Sequence, residues 1–202
     1  NVVHWGADLD YYAAFHKQAR DRIRFVSTGA EHRDFITLLN AFNDSKISAS
    51  CYFYIKKSQE NYIQMNFNES KLSSNIHLSF GDWSHNECTH FVEEADVVVI
   101  CCLNYPYTIG LTTLVEAWAL GKAVIVTDNP TFPIDVEKEG VGIKVPYGDV
   151  NSWIKAIDYL AKNPEVVIKM GKRGKELAQN FYNLNKLTED VTETLLFFDK
   201  KP

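Results

Sequence analysis

The run DVVVICCL, Asp96 to Leu103, is apolar at every position after its aspartate. A strand with one wet face alternates polar and apolar residues, so an unbroken run fits a strand of a parallel sheet covered on both faces. A second such run, KAVIVTD from Lys122 to Asp128, follows after TTLVEAWALG, whose apolar spacing fits a helix ending at Gly121. Two parallel strands need a crossover of that kind between them.

The same alternation extends along the chain. RIRFVST (Arg22 to Thr28) reads as a strand and DFITLLNAF as the helix after it. SCYFYIK and NIHLSFG are further strands, and HNECTHFVEEA a helix with Phe91, Val92 and Ala95 on one face. The Asn- and Ser-rich stretch Gln59 to Asn75 is expected to be a loop or short helix. After the short strand and turn in GVGIKVPYGD, three helices follow: VNSWIKAIDYLAKN, PEVVIKMGKRGKELAQNFY with Pro164 in its first turn, and LNKLTEDVTETLLFF. Strands alternating with helices imply a Rossmann-like, doubly wound α/β sheet that binds ligands at the carboxyl ends of its strands.

The 202 residues, 46% of them hydrophobic, suffice for one sizeable core without disulfides or metals. A net charge of -5 disfavours broad nucleic-acid binding and leaves small anionic ligands open. Cys51, Cys88, Cys101 and Cys102 form no CxxC pair, which fits a reduced, cytoplasmic chain. Cys101 and Cys102 are expected to pack on opposite faces of a buried strand. No run is long enough to span a bilayer and no signal peptide is evident. The start NVVHWGADLDYY, without methionine, reads as a cut inside a longer protein.

The turn YTIGLTTLVEA is where chemistry is expected. Gly110, Leu111, Thr112 and Thr113 precede or open a helix, whose free N–H groups and dipole make an anion site. Glu116 has two readings. Thr113 followed by Glu116 three residues on is the capping-box pattern, worth roughly 1 kcal/mol. A carboxylate beside a phosphate site is equally placed to accept two hydrogen bonds from a ribose diol. His85, Cys88 and His90 in HNECTH match no common zinc spacing, so no metal site is assigned. Trp5, Trp118 and Trp153 are expected in the core.

The segment ADVVVICCLNYPYTIGLTTLVEAWALGKAVIVTD resembles the signature of the C-terminal, nucleotide-sugar-binding domain of group 1 glycosyltransferases of the GT-B fold. FVSTGAEHRDFITLLNAF resembles that family's glycine-bearing first loop and its helix, NVVHWGADLDYY its interdomain linker, and VPYGDVNSWIKAIDYLAKNPEVVIKMGKRGKELAQNFYN its helical tail. The resemblance thus divides the chain into a linker (1–20), a nucleotide-sugar-binding core (21–150) and C-terminal helices of the same domain (151–202).

It implies roles residue by residue. Glu116 matches the second of the family's paired glutamates, which holds the donor ribose; Leu111, Thr112 and Thr113 match the loop that holds the diphosphate. Arg33 falls where a basic residue faces the diphosphate and would stabilise the leaving group, although a solvated surface charge is its alternative. Gly29 lies in the loop passing close to the donor, and Phe80, Gly81 and Trp83 where the base packs. Thr108 stands in place of the first paired glutamate, which ordinarily contacts the donor sugar, and Gly110 is displaced from the family's glycine. Main chain, or Asn104, Tyr107 or Thr108, is available instead.

The resemblance therefore implies the donor-binding half of a retaining, cytoplasmic glycosyltransferase, with peripheral association at the inner membrane open to the full-length protein. UDP or a UDP-sugar is the expected donor, GDP-sugar the second choice, with no cofactor required. An acceptor, which could be a glycan or lipid-linked glycan, and an N-terminal domain are the other partners. Alternatives are a sugar-nucleotide epimerase of the same architecture and a non-catalytic nucleotide-sugar-binding module. A nicotinamide-dependent dehydrogenase is disfavoured because no GxGxxG follows the first strand.

Overall fold

The computed structural model describes residues 3–15, 22–45, 49–68, 70 and 72–199. The ends of the expected 1–20 linker and the last three residues lie outside the described residues.

In chain order the elements are α1 (Leu9–Tyr12), β1 (Arg24–Ser27), α2 (Phe35–Asp44), β2 (Ser50–Lys56), a 3-10 turn (Lys57–Gln59), α3 (Glu60–Asn66), β3 (Ile76–Gly81), α4 (His85–Glu93), β4 (Val97–Ile100), α5 (Leu111–Ala119), β5 (Ala123–Thr127), β6 (Gly142–Val145), α6 (Val150–Lys162), α7 (Pro164–Asn180) and α8 (Leu184–Asp199). All six strands are parallel, in the order β3-β2-β1-β4-β5-β6. This is the doubly wound arrangement, and its direction of winding reverses between β1 and β4.

The two unbroken apolar runs are the central strands. Every residue of β4 and β5 is buried, as a sheet covered on both faces demands. One core lies on the face shared with α2 and α6 and includes Phe25, Phe53, Cys101 and Trp153; the other, shared with α5 and α7, includes Val26, Ile100, Cys102 and Trp118. Cys101 and Cys102 thus fall on opposite faces.

Local chemistry sets the helix boundaries. Asp34 and Asp149 cap α2 and α6 through their side chains, and Pro164 occupies the first turn of α7. Ser84 and Glu87 close a reciprocal capping box at α4. The polar stretch after β2 holds the 3-10 turn and α3.

Trp5 departs from expectation. Its neighbour Gly6 lies so close to the Asn183 backbone that a Cβ would meet the carbonyl oxygen at 2.1 Å, and Ala7 pairs with Tyr182 and Leu184 through its main chain. The segment is held by backbone contacts, and the indole remains 48% exposed outside the core. Among the described residues no helix is long and apolar enough to cross a membrane.

Candidate functional site

The loops after β1, β3 and β4 converge at the carboxyl ends of the strands, around the point where the winding reverses. Gly29 follows β1 with φ +105°, and a Cβ there would stand 2.5 Å from Arg33 Nη2. Left-handed backbone and crowding both require glycine. Arg33 is 8% exposed. Its Nε donates to Thr28 O (3.1 Å), Nη1 to Glu31 O (3.2 Å) and Cys102 Sγ (3.5 Å), and Nη2 to Thr113 Oγ1 (3.1 Å). The guanidinium therefore braces the β1 loop, the end of β4 and the start of α5, which rules out a solvated surface charge. Among the described residues no carboxylate pairs with it, and one of its five N–H groups stays unused.

The start of α5 differs from the capping-box expectation. Gly110, with φ +88° and no side-chain cap, is the N-cap, so Thr113 is the third helical residue and Glu116 sits in the second turn. Thr113 lies inside the helix rather than at its cap, and its buried hydroxyl accepts from Arg33. The first intrahelical bond runs from Leu114 N to Gly110 O at 3.0 Å. The N–H groups of Leu111, Thr112 and Thr113 precede it, without an acceptor among the described residues. A Cβ on Gly110 would meet Ile100 Cγ2 at 2.5 Å, so this turn also demands glycine.

Glu116 is held from one side. His85 Nδ1 lies 3.8 Å from Oε1, and the Tyr12 hydroxyl lies 3.5 Å from His85 Nε2. Burial raises the carboxyl above its usual range, with Tyr12 and His85 pulling the other way. Tyr12 is itself 5% exposed, and burial followed by the nearby Glu116 charge pushes its phenol up.

Beside these groups opens a cleft of about 250 Å³, lined by Thr28, Gly29, Tyr54, Gly81, Trp83 and Cys88 among others. The Trp83 indole lies over Gly81, where a Cβ would meet the ring at 2.6 Å, and stands edge-on to Phe91 and Tyr54. Its buried Nε1 has no partner among the described residues. The Cys88 thiol in the cleft wall is pushed up by burial, with Thr28 pulling the other way. Phe80, expected beside Gly81, instead packs against the core on the α2 and α6 face. Side chains alternate along a strand, so Phe80 turns away where Gly81 opens to the cleft.

The remaining expected residues lie on the rim. Thr112 is exposed and Leu111 half-buried. Tyr107 packs loosely with Tyr105 and with His32, a non-glycine residue at φ 49°. Thr108 turns aside, donating its hydroxyl to Thr131 O at 2.7 Å. Asn104 is exposed on the same loop. In HNECTH, His85 faces Glu116, Cys88 faces Thr28 and His90 faces Glu93, so the three side chains diverge.

Sequence reasoning missed Tyr12, Thr28 and Tyr54, and noticed His85 and Cys88 only as an unconvincing metal cluster. They come from separate segments and share no spacing that could have joined them. Their one legible signal was that Thr28 follows a strand and His85 opens a helix, where an α/β sheet binds ligands.

The family described as "Glycosyl transferases group 1" matches residues 14–177. The chain belongs to that family. A D-inositol 3-phosphate glycosyltransferase of Saccharomonospora viridis is 34% identical over 87 residues, 43% of this chain and 20% of that protein. A glycosyltransferase of Rickettsia africae superposes over 100% of this chain and 58% of its own with a TM-score of 0.80 at 17% identity. The Anabaena protein HepE, in complex with UDP, superposes over 96% of this chain and 57% of its own with a TM-score of 0.74 at 12% identity. At those identities the two structures establish the shared GT-B domain fold. The group 1 chain therefore spans little more than half the length of these structural neighbours and a fifth of the curated relative.

Proposed function

We propose that this group 1 chain is the nucleotide-sugar-binding half of a retaining glycosyltransferase, taking a uridine diphosphate sugar and passing the sugar to an acceptor hydroxyl. The observation that carries the reading is the order of three features. The cleft beside Trp83 suits a base. Glu116, 3.8 Å from His85 on the helix that carries Cys88 in the cleft wall, suits the ribose diol. The unengaged amides of α5 and the Arg33 charge, which has no counter-charge among the described residues, suit a diphosphate. When the bond between the sugar and the β-phosphate oxygen breaks, negative charge grows on the departing UDP, and these groups face it. Arg33 acts mainly through its field, since one free N–H leaves no bidentate grip.

The UDP complex of the Anabaena neighbour supports uridine, with GDP the second choice. A second domain would complete the cleft and bring the acceptor, a reading supported by the partial coverage of the structural neighbours. This chain alone then binds nucleotide and turns over little or no substrate. The test is calorimetric titration of UDP, GDP, ADP and NAD into this chain and its Glu116→Ala variant. UDP is expected to bind most tightly and to weaken at least about tenfold in the variant, since hydrogen bonds to a charged group contribute ~1.5–3 kcal/mol. Undetectable UDP binding, or binding indifferent to Glu116, overturns the proposal.

The position of Thr108 favours a second reading, a non-catalytic donor-binding module. Its side chain carries no charge and is spent on Thr131 O. A full-length protein that binds donor yet neither transfers nor hydrolyses it would establish this alternative. An epimerase of the same architecture would convert the donor sugar without consuming an acceptor.

A further inference from the structure

The rim of the crevice carries a cluster that belongs to neither the base cleft nor the α5 amides. Arg33 pairs with Cys102 in an antiparallel bridge, and Leu103 N donates to His32 O at 2.9 Å, so the loops after β1 and β4 lie side by side. Beside that pairing three rings gather. His32 and Tyr105 stand 3.8 Å apart between centroids at 34°, with Tyr107 5.8 Å from His32 and 5.7 Å from Tyr105. The two tyrosines are not core: Tyr105 is 36% and Tyr107 44% exposed. Yet the backbone that carries them is pinned. Buried Asn129 donates through Nδ2 to Tyr107 O at 3.0 Å and accepts through Oδ1 from the Thr131 N–H and hydroxyl, while the Thr108 hydroxyl donates to Thr131 O. His32 joins the cluster at φ 49°, a left-handed backbone that glycine adopts freely and histidine only at a cost.

We propose that His32, Tyr105 and Tyr107 form a shelf on which a hexopyranose ring stacks at the diphosphate end of the crevice. This rests on the reading that a diphosphate meets the α5 amides. Arg33, which reaches Thr113 in the first turn of α5, directly follows His32, so the shelf adjoins the diphosphate end and lies away from Trp83. The next group along a nucleotide sugar after base, ribose and diphosphate is the sugar. The chemistry also matches: a pyranose offers a face of C–H groups that packs on an aromatic ring, and hydroxyls that pair with phenol and imidazole. The Thr108 hydroxyl is already given to Thr131 O, whereas the Tyr105 and Tyr107 hydroxyls have no hydrogen-bond partner among the described residues. A pinned loop presents these rings without first having to be ordered, which lowers the cost of binding. The sugar carried on the diphosphate and a sugar of the acceptor share this chemistry, and the two sources are separable.

Dissociation constants of UDP, UDP-glucose, UDP-galactose and UDP-N-acetylglucosamine are measured by calorimetry for this chain and for Tyr105→Leu, Tyr107→Leu and Tyr107→Phe, with thermal unfolding as the check on folding. For a donor sugar on the shelf, at least one UDP-sugar binds the parent about threefold or more tightly than UDP, the scale of one aromatic contact. Both leucine variants erase that gain and leave the affinity for UDP unchanged, while Tyr107→Phe keeps most of it because the ring face remains. For an acceptor sugar, no UDP-sugar binds more tightly than UDP. Methyl glycosides of the three sugars, titrated into the UDP-saturated, isotopically labelled chain, then shift the amides of His32 and residues 103–107 saturably, and the leucine variants abolish the shifts. Either result supports the shelf and names its source. UDP binding with neither effect, or a sugar gain that survives both leucine substitutions, overturns the shelf and leaves the diphosphate reading standing. Leucine variants that weaken UDP and UDP-sugars alike make the tyrosines nucleotide contacts and also overturn it. Undetectable UDP binding overturns the diphosphate reading, and the shelf falls with it.

Discussion

Gly110 joins stability and binding at one backbone position. Any side chain there would have to adopt φ +88° and displace Ile100 Cγ2, a group in the fully packed strand β4. Gly110→Ala should therefore cost about 1–3 kcal/mol in denaturant unfolding and shift the α5 amides enough to weaken UDP binding. Glu116 shows the opposite balance. Burial holds its carboxyl above the usual range, so the folded state binds a proton more readily than the unfolded chain. Its ionised form costs stability at neutral pH, and that cost is relieved as the pH falls through the raised value. Glu116→Gln should melt at a higher temperature than the parent at pH 7.5 while binding UDP more weakly. For the parent, the preference for UDP over 2′-deoxy-UDP should shrink as the pH is lowered through the same window. Comparing the two nucleotides cancels protonation of the phosphates.

At the scale of elements, the strands were legible because their signal is local: Val97 to Ile100 and Ala123 to Val126 are apolar throughout, and a doubly covered parallel sheet accommodates both. The first turn of α5 was not legible in the same way. Thr113 and Glu116 have the spacing of a capping box, but the hydroxyl is claimed by Arg33, 80 residues away in sequence. A local pattern gave way to the need to satisfy a buried cation. Phe80 was misplaced for a simpler reason, since the strand end was located correctly and the face was not. Helix packing was equally hidden. Gly171 on α7 approaches the loop after α5 so closely that a Cβ would stand 2.2 Å from Gly121 O, and one on Gly174 would stand 2.6 Å from the Trp118 ring. Alanine gains up to about 1 kcal/mol over glycine in an isolated helix. Gly171→Ala should nevertheless destabilise the protein in thermal unfolding, because α7 must move away from α5 and from a fully buried Trp118.

For the whole molecule, the sheet order explains why residues from distant segments meet. Reversal of winding between β1 and β4 opens a crevice, and the loop carrying Arg33 and the helix carrying Glu116 border it from its two sides. Alternating strands and helices made that architecture readable, and the family resemblance pointed to Glu116 and Arg33. The partners that hold those two groups come from contacts no linear pattern records. The central claim is that a nucleoside diphosphate occupies this crevice, with its base by Trp83, its ribose at Glu116 and its diphosphate at the α5 amides. The most direct test is an amide chemical-shift titration of the isotopically labelled chain with UDP. The account predicts saturable perturbations concentrated in residues 28–33, 80–83 and 110–116. Perturbations centred instead on the Gln64 to Ser70 surface, or on the cleft between Asp128 and Lys144, would contradict it.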